Sequence, residues 1–135
     1  MAGKLVAVSG YFDPLHIGHL EYIKMAKDLA GEDGKLVVVL NNDNQAYDKN
    51  KKIFMCQEDR RKILEAIKWV DEVYISIDED DTICKSLIAL QPDIFAKGGG
   101  WTEVTIPERE LCNDLKIKTI FKVGNNGKRK PRIKK

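Results

Sequence analysis

At 135 residues, 43% of them hydrophobic and 33% charged, the chain has the length and balance of one folded domain, which excludes wholesale disorder. The formal charge of +2 is uneven: Lys128, Arg129, Lys130, Arg132, Lys134 and Lys135 crowd the last eight positions, and removing these six from the 23 Lys and Arg leaves 17 against 21 Asp and Glu, about −4. A body of that sign is not a nucleic-acid surface, so RNA, anionic lipid or an acidic partner is left to the tail, whose plainer reading is a solvated, frayed terminus. No apolar run approaches the roughly 20 residues of a membrane span.

Residues 4–9 (KLVAVS) read as a buried strand. From Ile17 the apolar positions Leu20, Ile23, Ala26 (with Met25 nearby), Leu29 and Ala30 follow helical spacing, and Gly31 and Gly34 stop that helix. Residues 35–40 (KLVVVL) predict a second, almost wholly apolar strand, and the polar, Lys-rich stretch 41–55 a long loop of the kind that often carries function. Residues 57–69 place Ile63, Leu64, Ile67 and Trp69 on or near one helical face, and 71–77 (DEVYISI) alternate as a third strand. Acidic residues 78–81 lead into a helix near 82–90, closed by Pro92, before a short fourth strand over 93–96. Pro107 suits the first turn of a helix over 107–114, and 116–123 form the fifth strand.

Strand–helix alternation repeated in this way predicts an α/β fold, a five-stranded parallel sheet with helices on both faces, because strands so apolar must be covered twice. Residues 1–127 are expected to form one domain and 128–135 a basic C-terminal tail. Cys56, Cys84 and Cys112 are odd in number and share no CxxC spacing, so free thiols are expected, with Cys56 a small buried residue. Met1-Ala2-Gly3-Lys4 lacks the apolar stretch of a signal peptide, and a cytoplasmic protein is expected.

Open parallel sheets bind ligands beyond the carboxyl ends of their strands. The segment after the first strand reads Gly10-Tyr11-Phe12-Asp13-Pro14-Leu15-His16-Ile17-Gly18-His19 and opens the first helix. His16 and His19, the chain's two histidines, can share one face of that first turn, with Gly18 between them permitting close approach of a ligand to the backbone. Helix-start amides favour an anion, and imidazole N–H groups add donors. The plainer alternative is that the histidines only cap the helix. No cysteine, third histidine or evident carboxylate completes a metal site there.

The GYFDPLHIGH segment resembles the GxFDxxHxGH signature of the cytidylyltransferase-like nucleotidyltransferases, and the resemblance extends over about residues 4–123. Lys49 to Lys52, Gln57 to Leu64 and Trp69-Val70-Asp71-Glu72-Val73 are similar to glycerol-3-phosphate cytidylyltransferase. Lys97-Gly98-Gly99 is instead similar to the adenylyltransferase that makes ADP-heptose. The resemblance implies a Rossmann-like sheet of strand order 3-2-1-4-5 and transfer of CMP or AMP from CTP or ATP to a small phosphorylated alcohol or sugar, with release of pyrophosphate. It implies catalytic roles for His16, His19 and Lys49. Gly10, Tyr11, Phe12, Gly18, Lys97, Gly98 and Asn125 would join the histidines in binding the nucleotide, and Lys49, Lys52, Arg60 and Trp101 would bind the acceptor. Mg2+ would be carried mainly by the triphosphate. The family's members are often dimers, and a homodimer is expected.

The family places a Ser/Thr-rich element after the fifth strand, where this chain reads Gly124-Asn125-Asn126-Gly127-Lys128-Arg129-Lys130, without the hydroxyls. A nucleotide-binding homologue with altered catalysis is therefore the rival reading. Arg60-Arg61-Lys62 reads rather as an exposed helix face paired with Glu58 and Glu65 than as a site, though Arg60 matches a family position. A solvated loop is the plainer alternative for residues 49–52, and a flexible turn for Gly98-Gly99-Gly100.

Overall fold

The computed structural model describes residues 3–98, 106–121 and 123. Five strands, β1 (Leu5–Gly10), β2 (Lys35–Leu40), β3 (Glu72–Ile75), β4 (Ile94–Ala96) and β5 (Lys118–Ile120), form one parallel sheet in the order β3-β2-β1-β4-β5. Val6 and Ala7 of the central strand register with Leu36 and Val37 on one side and with Ile94 and Phe95 on the other. The helices are α1 (Ile17–Ala30), α2 (Asp43–Asn50), α3 (Gln57–Glu65), α4 (Cys84–Leu90) and α5 (Arg109–Leu115).

The period of two along each strand divides the core. Val6, Val8, Leu36, Val38 and Leu40 pack with Tyr22, Ile23, Ala26 and Ala30 of α1 and Leu64 of α3. Ala7, Val37, Val39 and Phe95 point the other way, onto Ile83, Leu87 of α4, Cys112 of α5 and Ile117. Both faces are thus covered, and the near-continuous apolar strands follow from that.

The expected loop over 41–55 is corrected: most of it is α2. Its composition gives no apolar stripe, and the helix forms instead through a capping box, in which Asn42 Oδ1 accepts from Gln45 N (2.9 Å) while Gln45 Oε1 accepts from Asn42 N (3.0 Å). Gln45 also donates to the carbonyls of Asp80 and Thr82, tying α2 to the segment after β3. The expected helix over 57–69 ends at Glu65, with Trp69 in the turn beyond, half-buried against the core. On α1 the fully buried apolar side chains include Tyr22, which had no place in the expected stripe, whereas Leu29 and Met25 are exposed. Tyr22 serves two strands, its hydroxyl donating to Ala96 O (2.5 Å) and accepting from Ser9 N (3.4 Å). Cys56 is exposed rather than buried, and Cys84 and Cys112 are also free thiols. Among the described residues no helix is long and apolar enough to cross a membrane. The basic tail lies outside the described residues.

Gly34, between α1 and β2, leaves no room for a side chain. A Cβ there would run onto the Ala30 carbonyl and stand 2.6 Å from Lys4 O. Gly34→Ala is expected to cost about 1–3 kcal/mol, read as a lower urea midpoint at unchanged m-value.

Candidate active site

β1 ends at Gly10, whose carbonyl accepts from Asn41 N (2.9 Å) just past β2, so the carboxyl ends of the two strands are locked together. Phe12 follows in the left-handed region (φ 50) and is 2% exposed, its ring folded back beneath Gly10. A Cβ on Gly10 would come within 2.9 Å of that ring, so any other residue here would have to push the buried Phe12 ring aside. The Asp13–Pro14 bond is cis. The Asp13 carboxylate accepts from the backbone N–H groups of Phe54 (2.9 Å) and Met55 (2.7 Å), which fastens the segment between α2 and α3 to this turn.

The two histidines then form a reciprocal cap on α1. His16 Nδ1 accepts from Gly18 N (3.1 Å), and His19 Nδ1 accepts from His16 N (3.0 Å). Their rings stack with centroids 3.8 Å apart and an interplanar angle of 26°, and the Phe12 ring meets His19 edge-on at 4.8 Å. A nitrogen that accepts from an N–H carries no proton, so each neutral ring holds its proton on Nε2. Capping therefore accounts for the inner edge of each imidazole and leaves the outer edge as a hydrogen-bond donor. Gly18 is buried and its N–H is spent on His16.

Burial, then the neighbouring His16, pushes His19 down to about 4 from an ordinary 6.5. The unfolded chain thus binds more protons than the folded one between those values, so this residue's contribution to stability is complete above pH 6.5 and is lost as pH falls towards 4. His19→Asn, which can keep the cap through its amide oxygen, is expected to flatten the decline of Tm over that window relative to the unaltered protein. An identical decline in both would show that His19 keeps an ordinary proton affinity.

A cavity of about 540 Å³ opens beside this turn. Segments that follow four of the five strands contribute to it: Ser9, Gly10 and Tyr11 at and after the end of β1; Asn41, with Gln45, Asp48 and Lys49 of α2, after β2; Asp80, Asp81 and Ile83 after β3; Lys97 after β4; and Pro107 with Glu108 ahead of α5. The histidine pair does not line it but adjoins it through Phe12 and Tyr11.

Of the residues singled out in the sequence, Gly10, Tyr11, Lys49 and Lys97 share this cavity. Lys49 sits in the last turn of α2, its Nζ 5.4 Å from the centre of the Tyr11 ring. Lys97 Nζ donates to Ser9 Oγ (3.3 Å) and lies 5.3 Å from the centre of the Phe95 ring. Burial, with Lys49 assisting, lowers its affinity for a proton, while the Glu108 carboxylate acts in the opposite sense. Gly98, the next residue, is buried. Lys52 is exposed between α2 and α3, away from the cavity lining. Trp101 and Asn125 lie outside the described residues.

Arg60 departs from both of its expected roles, exposed helix face and acceptor ligand. It is 0% exposed, and its guanidinium donates to the carbonyls of Met55 (3.0 Å), Tyr11 (2.7 Å) and Asn41 (2.9 Å) and to Asp43 Oδ1 (2.8 Å). These bonds occupy Nε and both terminal nitrogens, so Arg60 positions the strand ends and the start of α2 from beneath instead of contacting a ligand. Arg61, by contrast, lies on the outer side of α3 and pairs with Glu58 and Glu65, as the spacing suggests.

Sequence reasoning missed Glu108 and the fastening role of Asp13. Glu108 lies inside a stretch that reads only as a helix start, whereas Asp13 belongs to the motif and was legible as a polar residue in a buried turn. Among the described residues no group of three or more His, Cys, Asp or Glu converges to hold a metal ion.

The sequence model of the cytidylyltransferase-like family matches residues 7–122. The FAD synthase of Methanothermus fervidus is 34% identical over 112 residues, 83% of this chain and 74% of that one. The bifunctional protein HldE of Helicobacter pylori is 38% identical over 116 residues, 84% of this chain but 24% of that much longer one. Among solved structures, the lipopolysaccharide core biosynthesis protein of Thermoplasma volcanium superposes with a TM-score of 0.72 at 28% identity, covering 89% of this chain and 96% of its own.

Proposed function

The chain belongs to the cytidylyltransferase-like family, and we propose from that premise that it transfers AMP from ATP to a small phosphorylated acceptor, releasing pyrophosphate. Nucleotidyl transfer is the common ground of the relatives, and the choice of AMP rests on FAD synthase, since FAD is a flavin mononucleotide joined to AMP through a pyrophosphate bridge. The observation that carries the reading is the double cap on α1, which turns two imidazole N–H groups outward at the positive end of a 14-residue helix.

An acceptor phosphate oxygen attacks the α-phosphorus of ATP; a new P–O bond forms there as the bond to the β-phosphate oxygen breaks, and pyrophosphate departs. The protein forms no covalent bond in such a step; it holds two anions in line and stabilises the charge gathering on the transferred group and the leaving oxygen. His16 and His19 donate from Nε2 to phosphate oxygens, and the depressed proton affinity of His19 makes it a neutral donor at pH 7. Lys49 and Lys97 supply positive charge from the cavity side, where the acceptor phosphate binds. Magnesium enters with the triphosphate as part of the substrate, and no step is assigned to it through residues of this chain.

The test pairs ATP and CTP in turn with flavin mononucleotide, heptose 1-phosphate and glycerol 3-phosphate, and reads pyrophosphate. ATP with one of the three should release it in step with consumption of the acceptor. Preference for CTP would move the reading to cytidylyl transfer. Nucleotide binding by calorimetry with no release from any pair would favour a binding protein without catalysis.

A further inference from the structure

Glu108 is 4% exposed and stands in the wall of the cavity described above. Its Oε2 accepts from Ile83 N (3.0 Å), which fixes the carboxyl group in place. Its Oε1 is buried with no hydrogen-bond partner among the described residues. It stands at the N-terminal flank of α5, yet its side chain makes no cap bond there. A buried carboxylate oxygen without a donor costs stability, and such atoms persist where a ligand supplies what the fold does not.

The charges around the cavity say which donor fits. Lys97 already supplies the positive charge that Glu108 feels, so an amine on the ligand placed at that carboxylate would meet like charge. Asp48, Asp80 and Asp81 join Glu108 to give the rest of the lining an acidic character that repels the phosphate end of an acceptor. Asp80 is occupied, accepting from the backbone N–H and the hydroxyl of Thr82. Glu108 is set apart from the exposed carboxylates by burial, by one oxygen fixed on Ile83 N and by the other left without a partner among the described residues. The phosphate belongs near the two lysines, and an uncharged hydrogen-bond donor belongs at Glu108.

We infer that Glu108 is a specificity-determining residue whose free carboxylate oxygen accepts a hydrogen bond from a hydroxyl group of a polyhydroxylated phosphomonoester bound in this cavity. The inference rests on the reading of the cavity as the acceptor site of a nucleotidyltransferase, and it adds a residue and a functional group to that site. Substrates lacking the hydroxyl would leave the carboxylate buried and unpaired, a stronger basis for rejection than a missing apolar contact provides.

Glu108→Gln tests it, because the amide oxygen can keep the Ile83 bond while the NH2 group presents a donor where a donor must be received. Using whichever of flavin mononucleotide, heptose 1-phosphate or glycerol 3-phosphate the unaltered protein consumes, the acceptor KM should rise about 10- to 100-fold, with the KM for ATP within about twofold of its original value. Monodeoxy analogues of that acceptor complete a cycle: one of them should suffer a comparable penalty with the unaltered protein and no further penalty with Glu108→Gln. An unchanged acceptor KM in a folded, active variant overturns the inference and leaves the proposed function standing. A rise in the KM for ATP instead would hand the oxygen to the nucleotide and also overturn it. If the unaltered protein neither turns over nor binds any of the three phosphomonoesters, the proposed function fails and the inference fails with it.

Discussion

Replacing His16 or His19 with alanine is expected to lower kcat by about a hundredfold or more, while the Kd for ATP changes far less. The size follows from losing a preorganised donor aimed at charge that develops only as the nucleotidyl group transfers. Each imidazole also holds the start of α1 through Nδ1, so alanine removes a cap bond as well, at about 1 kcal/mol. The two roles sit on opposite edges of one ring, and substitutions can part them. His16→Asn returns an acceptor oxygen to the place of Nδ1 at a position where asparagine is a favoured cap, so Tm should hold while turnover stays low. His16→Gln reaches further, sets its amide nitrogen near the place of Nε2, and should recover part of the turnover. Stopped assays for kcat, calorimetry for Kd and thermal melts on the same preparations give all three readouts. Folded alanine variants with normal kcat would reduce the pair to a helix cap.

Arg60 carries the largest expected effect on stability. Arg60→Ala would strand the carbonyls of Met55, Tyr11 and Asn41 together with the Asp43 carboxylate, whose side chain is 33% exposed. Removing one partner from a buried charged network costs about 3–5 kcal/mol, and Arg60→Lys should recover little, because one ammonium cannot meet four acceptors spread across a planar fork. Denaturant unfolding should show a loss of that size for Arg60→Ala. The damage should centre on α2 and the segment up to Met55, read as faster amide exchange there than in β1. A loss below about 1 kcal/mol would mean that water replaces the guanidinium, and that the strand ends are held together by other bonds.

The sheet was legible because burial on both faces writes itself as uninterrupted apolar runs, and KLVAVS and KLVVVL are such runs. The strand-to-helix turn itself was legible because HxGH concentrates both histidines where a strand gives way to a helix. What stayed hidden depends on partners distant in the chain. α2 has no apolar periodicity, and its one local signal, Asn42 followed three residues later by Gln45, is easily read as part of a polar loop. Arg60 has the same local surroundings as Arg61, and only Tyr11, Asn41 and Asp43 arriving from elsewhere separate the buried residue from the exposed one. Glu108 meets Ile83 and shares a cavity with Lys97 only through the fold, which nothing in its local sequence announces.

The central claim, nucleotidyl transfer at the His16–His19 turn, is tested most directly by following labelled phosphorus. ATP carrying its label in the α-position is mixed with the acceptor, and the products are separated for the unaltered protein and for His19→Ala. The account predicts that the α-label enters the acceptor product while a γ-label leaves in pyrophosphate, both at rates reduced about a hundredfold or more in the variant. Label passing from the γ-position to the acceptor, or α-label transfer that survives His19→Ala undiminished in folded protein, would contradict it.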